Sequence, residues 1–456
     1  MRAIIYNFLF LFFILFVGCK KFIQIDPPKT KLVTQSVFTS DAGANAAMSG
    51  IYSNCMNSSN GFLNGAITLY AGLSADELDN YATASPQGEF YKNTITVSNG
   101  LNERLWDDGF NIIYASNAVI EGVQSSTGLS AAVARQVTGE ALFIRAYCNF
   151  LLAGLYGDIP VVRTTSYQIN ATIARTPVVT VYDSIIADLT KAQALLPADY
   201  AISGGEKTRP NQWAVTALLS KLYLYKGDWA NAEKAAGSLI DGNSLRLEND
   251  LNKVFLKNSS EAIFQLMPVK SSVNTDEGAS FILLARPDNV ALTSSLLNSF
   301  EAGDARKTKW INSFVSGTAA YYYAFKYKIK TGSVLKEYYT VQRLAEQYLI
   351  RAEARTQLNN INGAVADLNT IRNRAGLNNL PNTLTKDQCL LAIEQERRAE
   401  LFCEWGHRWF DIKRTNRADA VFGPVKAPNW TTTDQLYPIP PRQLLNDKNT
   451  LQNPGY

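Results

Sequence analysis

The stretch WAVTALLSKLYLYKGDWANAEKAAGSLI, residues 213–240, constrains the fold of this chain more than any other. Leu219, Tyr223, Ala232 and Leu239 recur at helical spacing on either side of Gly227, which predicts two helices joined by a tight turn. Two helices approach closely only where large side chains on one face small ones on the other. Ser220 and Ala232, 12 residues apart, supply the small contact.

The same spacing returns in LAEQYLIRAEARTQLNNINGAVADLNTIRNRAG, residues 344–376, where Ala352 and Ala364 are again 12 apart. Both units read as tetratricopeptide-like helix pairs. A looser third unit, VTGEALFIRAYCNFLLAGLYGDIP at 137–160, closes on Gly157 and Pro160. Their wide separation predicts a helical scaffold with long insertions, not a simple solenoid. The insertions, roughly 60–110 and 268–340, are where binding groups belong. The first carries Tyr70, Tyr81, Phe90, Tyr91 and Trp106; the second carries Trp310 and the run Tyr321, Tyr322, Tyr323. Strand-like alternation is confined to short pieces such as EAIFQLMPV and AYYYAFKYKI.

The apolar run at residues 4–18 ends in LFVG and is followed by Cys19. It is shorter than the roughly 20 residues a membrane-spanning helix needs, so it reads as an export signal. Gly18 before Cys19 resembles a bacterial lipobox, which implies a signal peptide over 1–18 and a lipid on Cys19. The polar KKFIQIDPPKT then forms a tether, giving an anchor segment over 19–39. A net charge of +4 points neither to nucleic acid nor to a strongly anionic surface as partner. Cys55, Cys148, Cys389 and Cys403 form no C-x-x-C pair and read as buried thiols. On one helix Cys389 and Cys403 would be about 21 Å apart, beyond the reach of about 7 Å that a disulfide allows.

EQERRAELFCEWGHRWFDIKR, residues 394–414, holds the only histidine, His407, among Glu396, Glu400 and Glu404. Glu404-x-x-His407 is half of a di-iron carboxylate arrangement, but that site needs the pair twice. Zinc sites built on several histidines fail likewise. The charges have a simpler account as Glu394–Arg398 and Glu404–Arg408 helix pairs. Phe402, Trp405 and Trp409 would line an apolar face, and Gly406 would turn the chain into a new helix. The stretch therefore reads as a structural corner, with no catalytic or metal residue assigned.

Several stretches together resemble the SusD/RagB family of outer-membrane lipoproteins of Bacteroidetes-type bacteria. They are CKKFIQIDPP, EALFIRAYCNFLLAGLYGDIP (140–160), SFEAGDARKTKW (299–310), RLAEQYLIRAEA (343–354), DLNTIRNRAGL (367–377), the 393–414 stretch and the closing LYPIPPRQLLNDKNTLQNPGY. The resemblance implies a mainly α, SusD-like fold on tetratricopeptide-like helix pairs, with a loop-rich ligand-binding lobe and a few short β-hairpins. It also implies an N-terminal part over 40–260 interlocked with a C-terminal part over 261–456. Such proteins bind oligosaccharide or polysaccharide, in some cases peptide, and deliver it to a SusC-like TonB-dependent barrel without catalysis. No cofactor is expected beyond the lipid on Cys19, and no nucleic acid partner. Two other classes compete, a lipid-anchored glycoside hydrolase and an envelope scaffold.

The family's ligand residues vary between members, so the binding residues rest on chemistry. Sugar rings stack their C–H faces on aromatic planes, while their hydroxyls bond planar polar groups. The candidates are Tyr81, Tyr91, Trp310, Tyr321 and Tyr322, with Asp79, Asn80 and Arg286 as polar companions; Trp430 is a further loop aromatic.

Overall fold

The computed structural model describes residues 37–83, 86–446 and 449–456. The signal, Cys19 and most of the tether lie outside the described residues.

Eleven principal helices organise the chain: α1 (Asp41–Asn57), α2 (Ala66–Ser74), α3 (Gly100–Gln124), α4 (Ala131–Tyr156), α5 (Val178–Leu195), α6 (Gln212–Lys226), α7 (Trp229–Ile240), α8 (Leu344–Gln357), α9 (Ile361–Arg374), α10 (Lys386–Leu401) and α11 (His407–Arg414). From α3 to α9 each packs on the next, and α10 closes the stack against α8 and α9. The two repeat units, though separated by about a hundred residues, are therefore neighbours in space: α7 lies directly on α8. Ala232 and Ala236 of α7 pack with Leu224, Ile350 and Ala354, which is the close approach that their small side chains allow. Ala352 and Ala364 do the same between α8 and α9, beside Leu349 and Leu368.

Helix ends follow the sequence. Asn211 accepts from the N–H groups of Trp213 and Ala214 to start α6, and Thr385 with Gln388 forms a capping box on α10. Gly227 and Gly157 end α6 and α4 with positive φ, 71° and 72°.

Three two-stranded antiparallel sheets sit beside the stack. β1 (Leu78–Asn80) pairs with β3 (Val290–Leu292), β2 (Ala262–Leu266) with β6 (Tyr339–Arg343), and β4 (Ile311–Ser316) with β5 (Ala319–Ala324). β2 and β6 are buried along their whole length and return the second insertion to α8. β1 and β3 join the two insertions edge to edge, in the register Leu78↔Leu292, Asp79↔Ala291 and Asn80↔Val290.

Not every aromatic of the insertions reaches the surface. Tyr70, Phe90 and Trp106 are buried. All four described cysteines are buried and free. Cys403 lies beyond the end of α10, so the single helix expected to carry both Cys389 and Cys403 stops short.

Candidate ligand-binding site

The β1–β3 pairing fixes the site. Leu78 points into the core, which leaves Asp79 half-buried on the opposite face of the strand. The ladder continues past β1, with the Tyr81 N–H donating to Asn289 O at 2.7 Å. β5 packs against β3, in a hairpin closed at Gly317 (φ 61°). Its register sets Tyr321 opposite Phe314 and Tyr323 opposite Asn312.

Alternation along β5 then sorts the three tyrosines. Tyr323 is buried and meets Phe325 edge-on. Tyr321, on the same face but nearer the hairpin tip, is half-exposed and meets Tyr81 edge-to-face, with ring centroids 5.7 Å apart at 83°. The Arg286 guanidinium lies 6.0 Å from the Tyr321 ring centre. Tyr91 donates its hydroxyl to Asp79 at 3.2 Å. Behind it, Lys426 stands 4.7 Å from the Tyr91 ring and donates to Leu73 O and Tyr91 O. Burial pushes Lys426 down to about 8. The Tyr81 and Tyr91 phenols are both raised, by burial first and then by the Asp79 carboxylate, so they remain neutral donors.

Asp79, Tyr81, Tyr91, Tyr321 and Arg286 thus come together. Asn80 lies on the same strand, but its amide is committed: it accepts from Gln87 at 2.8 Å and donates to Ala82 O. Gln87 also reaches Asn289, so this pair of amides braces the β1–β3 end. Nothing in the sequence marked that brace. Tyr322 faces away from Tyr321 and is 40% exposed. Trp310 is a correction: it is fully buried and donates its indole N–H to Leu251 O at 2.8 Å, so no ligand stacks on it. Trp430 packs edge-on against Trp409 and Phe422 and donates to Asp419.

The carboxylates of 394–414 are structural, by a different wiring from the one the sequence suggests. The expected i, i+4 pairs do not form. Arg398 reaches Asp76 instead, while Arg408 bridges Asp76 and Glu394. Glu404 has left the helix, in a corner where Cys403, Trp405 and Gly406 all take positive φ. There it holds Arg343 at 2.8 Å and also pairs with Lys326. Burial alone would raise Glu404, but Arg343 and Lys326 outweigh it and hold the carboxyl below its ordinary value. Glu400 is likewise held well below by Arg374, Arg343 and Arg306 against the burial penalty. Gly406 is required twice over, because its φ is 69° and a Cβ there would fall 2.7 Å from that of Ala71. His407 is 4% exposed beside Lys221 and Glu346, and burial followed by the Lys221 charge holds it well below its ordinary value. A neutral, enclosed imidazole has no access to a substrate.

Comparison with known proteins places these features in a family. The family model described as "Starch-binding associating with outer membrane" matches residues 71–224, and the SusD family model matches 289–456. A SusD-like protein of Formosa agariphila is 27% identical, over 96% of this chain and 97% of its own length. A SusD superfamily protein from Bacteroides vulgatus superposes with a TM-score of 0.81 at 22% identity, covering 91% of this chain and 99% of that one. A laminarin-binding SusD-like protein superposes with a TM-score of 0.74 at 23% identity, covering the same shares. With both family models matched in order and the helix stack shared nearly end to end, this chain belongs to the SusD/RagB family.

Proposed function

We propose that this protein captures an oligosaccharide or polysaccharide at the cell surface and passes it, unaltered, to a SusC-like TonB-dependent barrel. The observation that carries the reading is the meeting of Tyr81 and Tyr321 from two distant insertions. Two partly exposed rings, flanked by the Arg286 guanidinium and the Asp79 carboxylate, offer stacking faces beside hydroxyl partners. The laminarin-binding neighbour and the starch-binding description of the matched model support a glycan as ligand. A lipid on Cys19 would hold the body at the membrane; among the described residues no helix is long and apolar enough to cross one. The hydrolase alternative draws no support from the carboxylates of 394–414, which are buried on guanidinium and ammonium partners.

The test is retardation of the protein lacking residues 1–19 in native gels cast with a panel of polysaccharides. Retardation by one glycan class supports capture, and co-purification with a co-expressed barrel from the neighbouring gene tests delivery. Release of reducing ends from the retarding glycan would overturn the non-catalytic reading.

A further inference from the structure

A groove between α1 and α3 shares no residue with the tyrosine cluster. Ile51 and Cys55 of α1, Ile112 and Ala115 of α3, and Phe62 and Leu63 of the loop after α1 give it an apolar floor. That loop is held by its own turn, with the Gly61 N–H donating to Ser58 O and the Asn64 N–H to Gly61 O. At 190 Å³ the groove is smaller than the roughly 300–1,000 Å³ of sites that enclose a drug-sized molecule, so it suits a single ring-sized unit.

Three polar side chains line the groove with hydrogen-bonding capacity to spare: Asn54 of α1, and Asp108 and Asn111 of α3. Asn54 and Asn111 are exposed, and neither amide has a partner among the described residues. Asp108 is half-buried, and its one ion-pair partner among the described residues is Arg104, at 3.5 Å. Arg104 spends a terminal nitrogen on Ser58 Oγ and Ser59 O, so it fixes the carboxylate without saturating it. The carboxylate is close enough to the floor to act on it: burial first, and then the Asp108 charge, push the Cys55 thiol up to about 12. Tyr114, 52% exposed, follows Asn111 by three residues and is therefore its neighbour on the helix surface. Its ring and hydroxyl have no partner among the described residues.

These groups describe a ligand by its chemistry. Two primary amides and a carboxylate offer both donors and acceptors, which suits a molecule carrying several hydroxyls. The apolar floor suits a compact body with C–H faces. The charge of Asp108 repels an acid and favours a neutral unit. A pyranose ring meets all three conditions, and the open ring of Tyr114 gives the next unit of a chain a face to stack on.

We infer that the groove between α1 and α3 is a second carbohydrate-binding site, for one neutral sugar ring held by Asn54, Asp108 and Asn111, with the adjoining unit on Tyr114. The inference rests on the reading of this protein as a glycan-binding one and adds a site made of entirely different residues.

Saturation-transfer NMR on the Tyr81→Ala, Tyr321→Ala double variant lacking residues 1–19 reads this groove with the first site removed. The probes are the methyl pyranosides of glucose, galactose and mannose, each beside the uronic acid with the same ring. At least one neutral glycoside should bind, and at least fivefold more tightly than its uronic acid. Asn54→Ala and Asn111→Ala, both at exposed positions, should each weaken it about fivefold with Tm unchanged. Tyr114→Ala should leave the single ring unaffected and weaken several-fold whichever of maltose, cellobiose, lactose and mannobiose binds. Absence of transfer to every neutral glycoside at millimolar concentration, or binding indifferent to the Asn54 and Asn111 changes, would overturn the proposal. Retardation of the wild-type protein by a polysaccharide alongside either result would leave glycan capture standing and remove only the second site.

Discussion

Tyr81 and Tyr321 meet edge-to-face with ring centroids 5.7 Å apart, although one follows β1 and the other lies on β5. The contact exists because β3 sits between their strands, paired to β1 and packed against β5.

That placement predicts a contrast along one strand. Tyr81→Ala and Tyr321→Ala should each weaken glycan binding at least tenfold, while Tyr322→Ala, on the opposite face, should leave it unchanged. Each loses a partly exposed ring and one aromatic contact, so stability should fall by only about 1 kcal/mol. Gel retardation paired with chemical denaturation checks both halves.

Trp310→Ala should behave in the opposite way. Its ring is enclosed by Phe255, Lys326 and Arg343, so truncation should cost about 3–5 kcal/mol by leaving a cavity. Glycan affinity measured well below the lowered Tm should be unchanged.

Trp310 and Tyr321 also show what the sequence could and could not convey. Both are aromatics of the same insertion, and residue type alone ranks them equally. Period-two alternation shows that neighbouring tyrosines face opposite ways, but which face is inward depends on β3, whose pairing is non-local. Helix pairing was legible where it is local: Ala352 and Ala364, 12 residues apart, share one packed cluster between α8 and α9, whereas Ser220 donates to Gln347 of α8, a partner no local spacing could name. The ion pairs of 394–414 were misassigned for the same reason. Helical spacing suggested Glu404–Arg408, whereas the chain turns at Cys403 and gives Glu404 to Arg343, from a distant strand.

Glu404→Ala should be among the most damaging substitutions. It strips Arg343 and Lys326, both enclosed, of a shared counter-ion, and breaking a buried pair from one side costs about 3–5 kcal/mol. His407→Gln should cost less, because the ring it replaces is neutral. Urea denaturation of the two variants gives the comparison.

Stability should also depend on pH in a defined direction. Burial pushes Glu277 up to about 8, and burial followed by the Asp76 charge pushes Glu77 up to about 7. Between the ordinary value of 4.5 and these values the folded chain binds more protons than the unfolded one, so stability falls as pH rises through that window. Burial lowers Lys413 to about 7 and Lys426 to about 8, which acts in the opposite sense above those values. From these groups Tm should therefore decline from about pH 5 to about pH 7 and rise again above about pH 8, where the two lysines are neutral only in the folded chain. Glu277→Gln, which keeps an acceptor for the Tyr339 hydroxyl, should raise Tm at pH 7 and leave it nearly unchanged at pH 4.5. Thermal scans across that range settle the sign.

The most direct measurement is a calorimetric titration of the best-retarding glycan into the wild-type protein and the Tyr81→Ala, Tyr321→Ala double variant, both lacking residues 1–19. Binding to the first, with its loss in a double variant of near-native Tm, is the expected result. Equal affinity for both proteins would contradict the site, and absence of any glycan ligand would contradict the function.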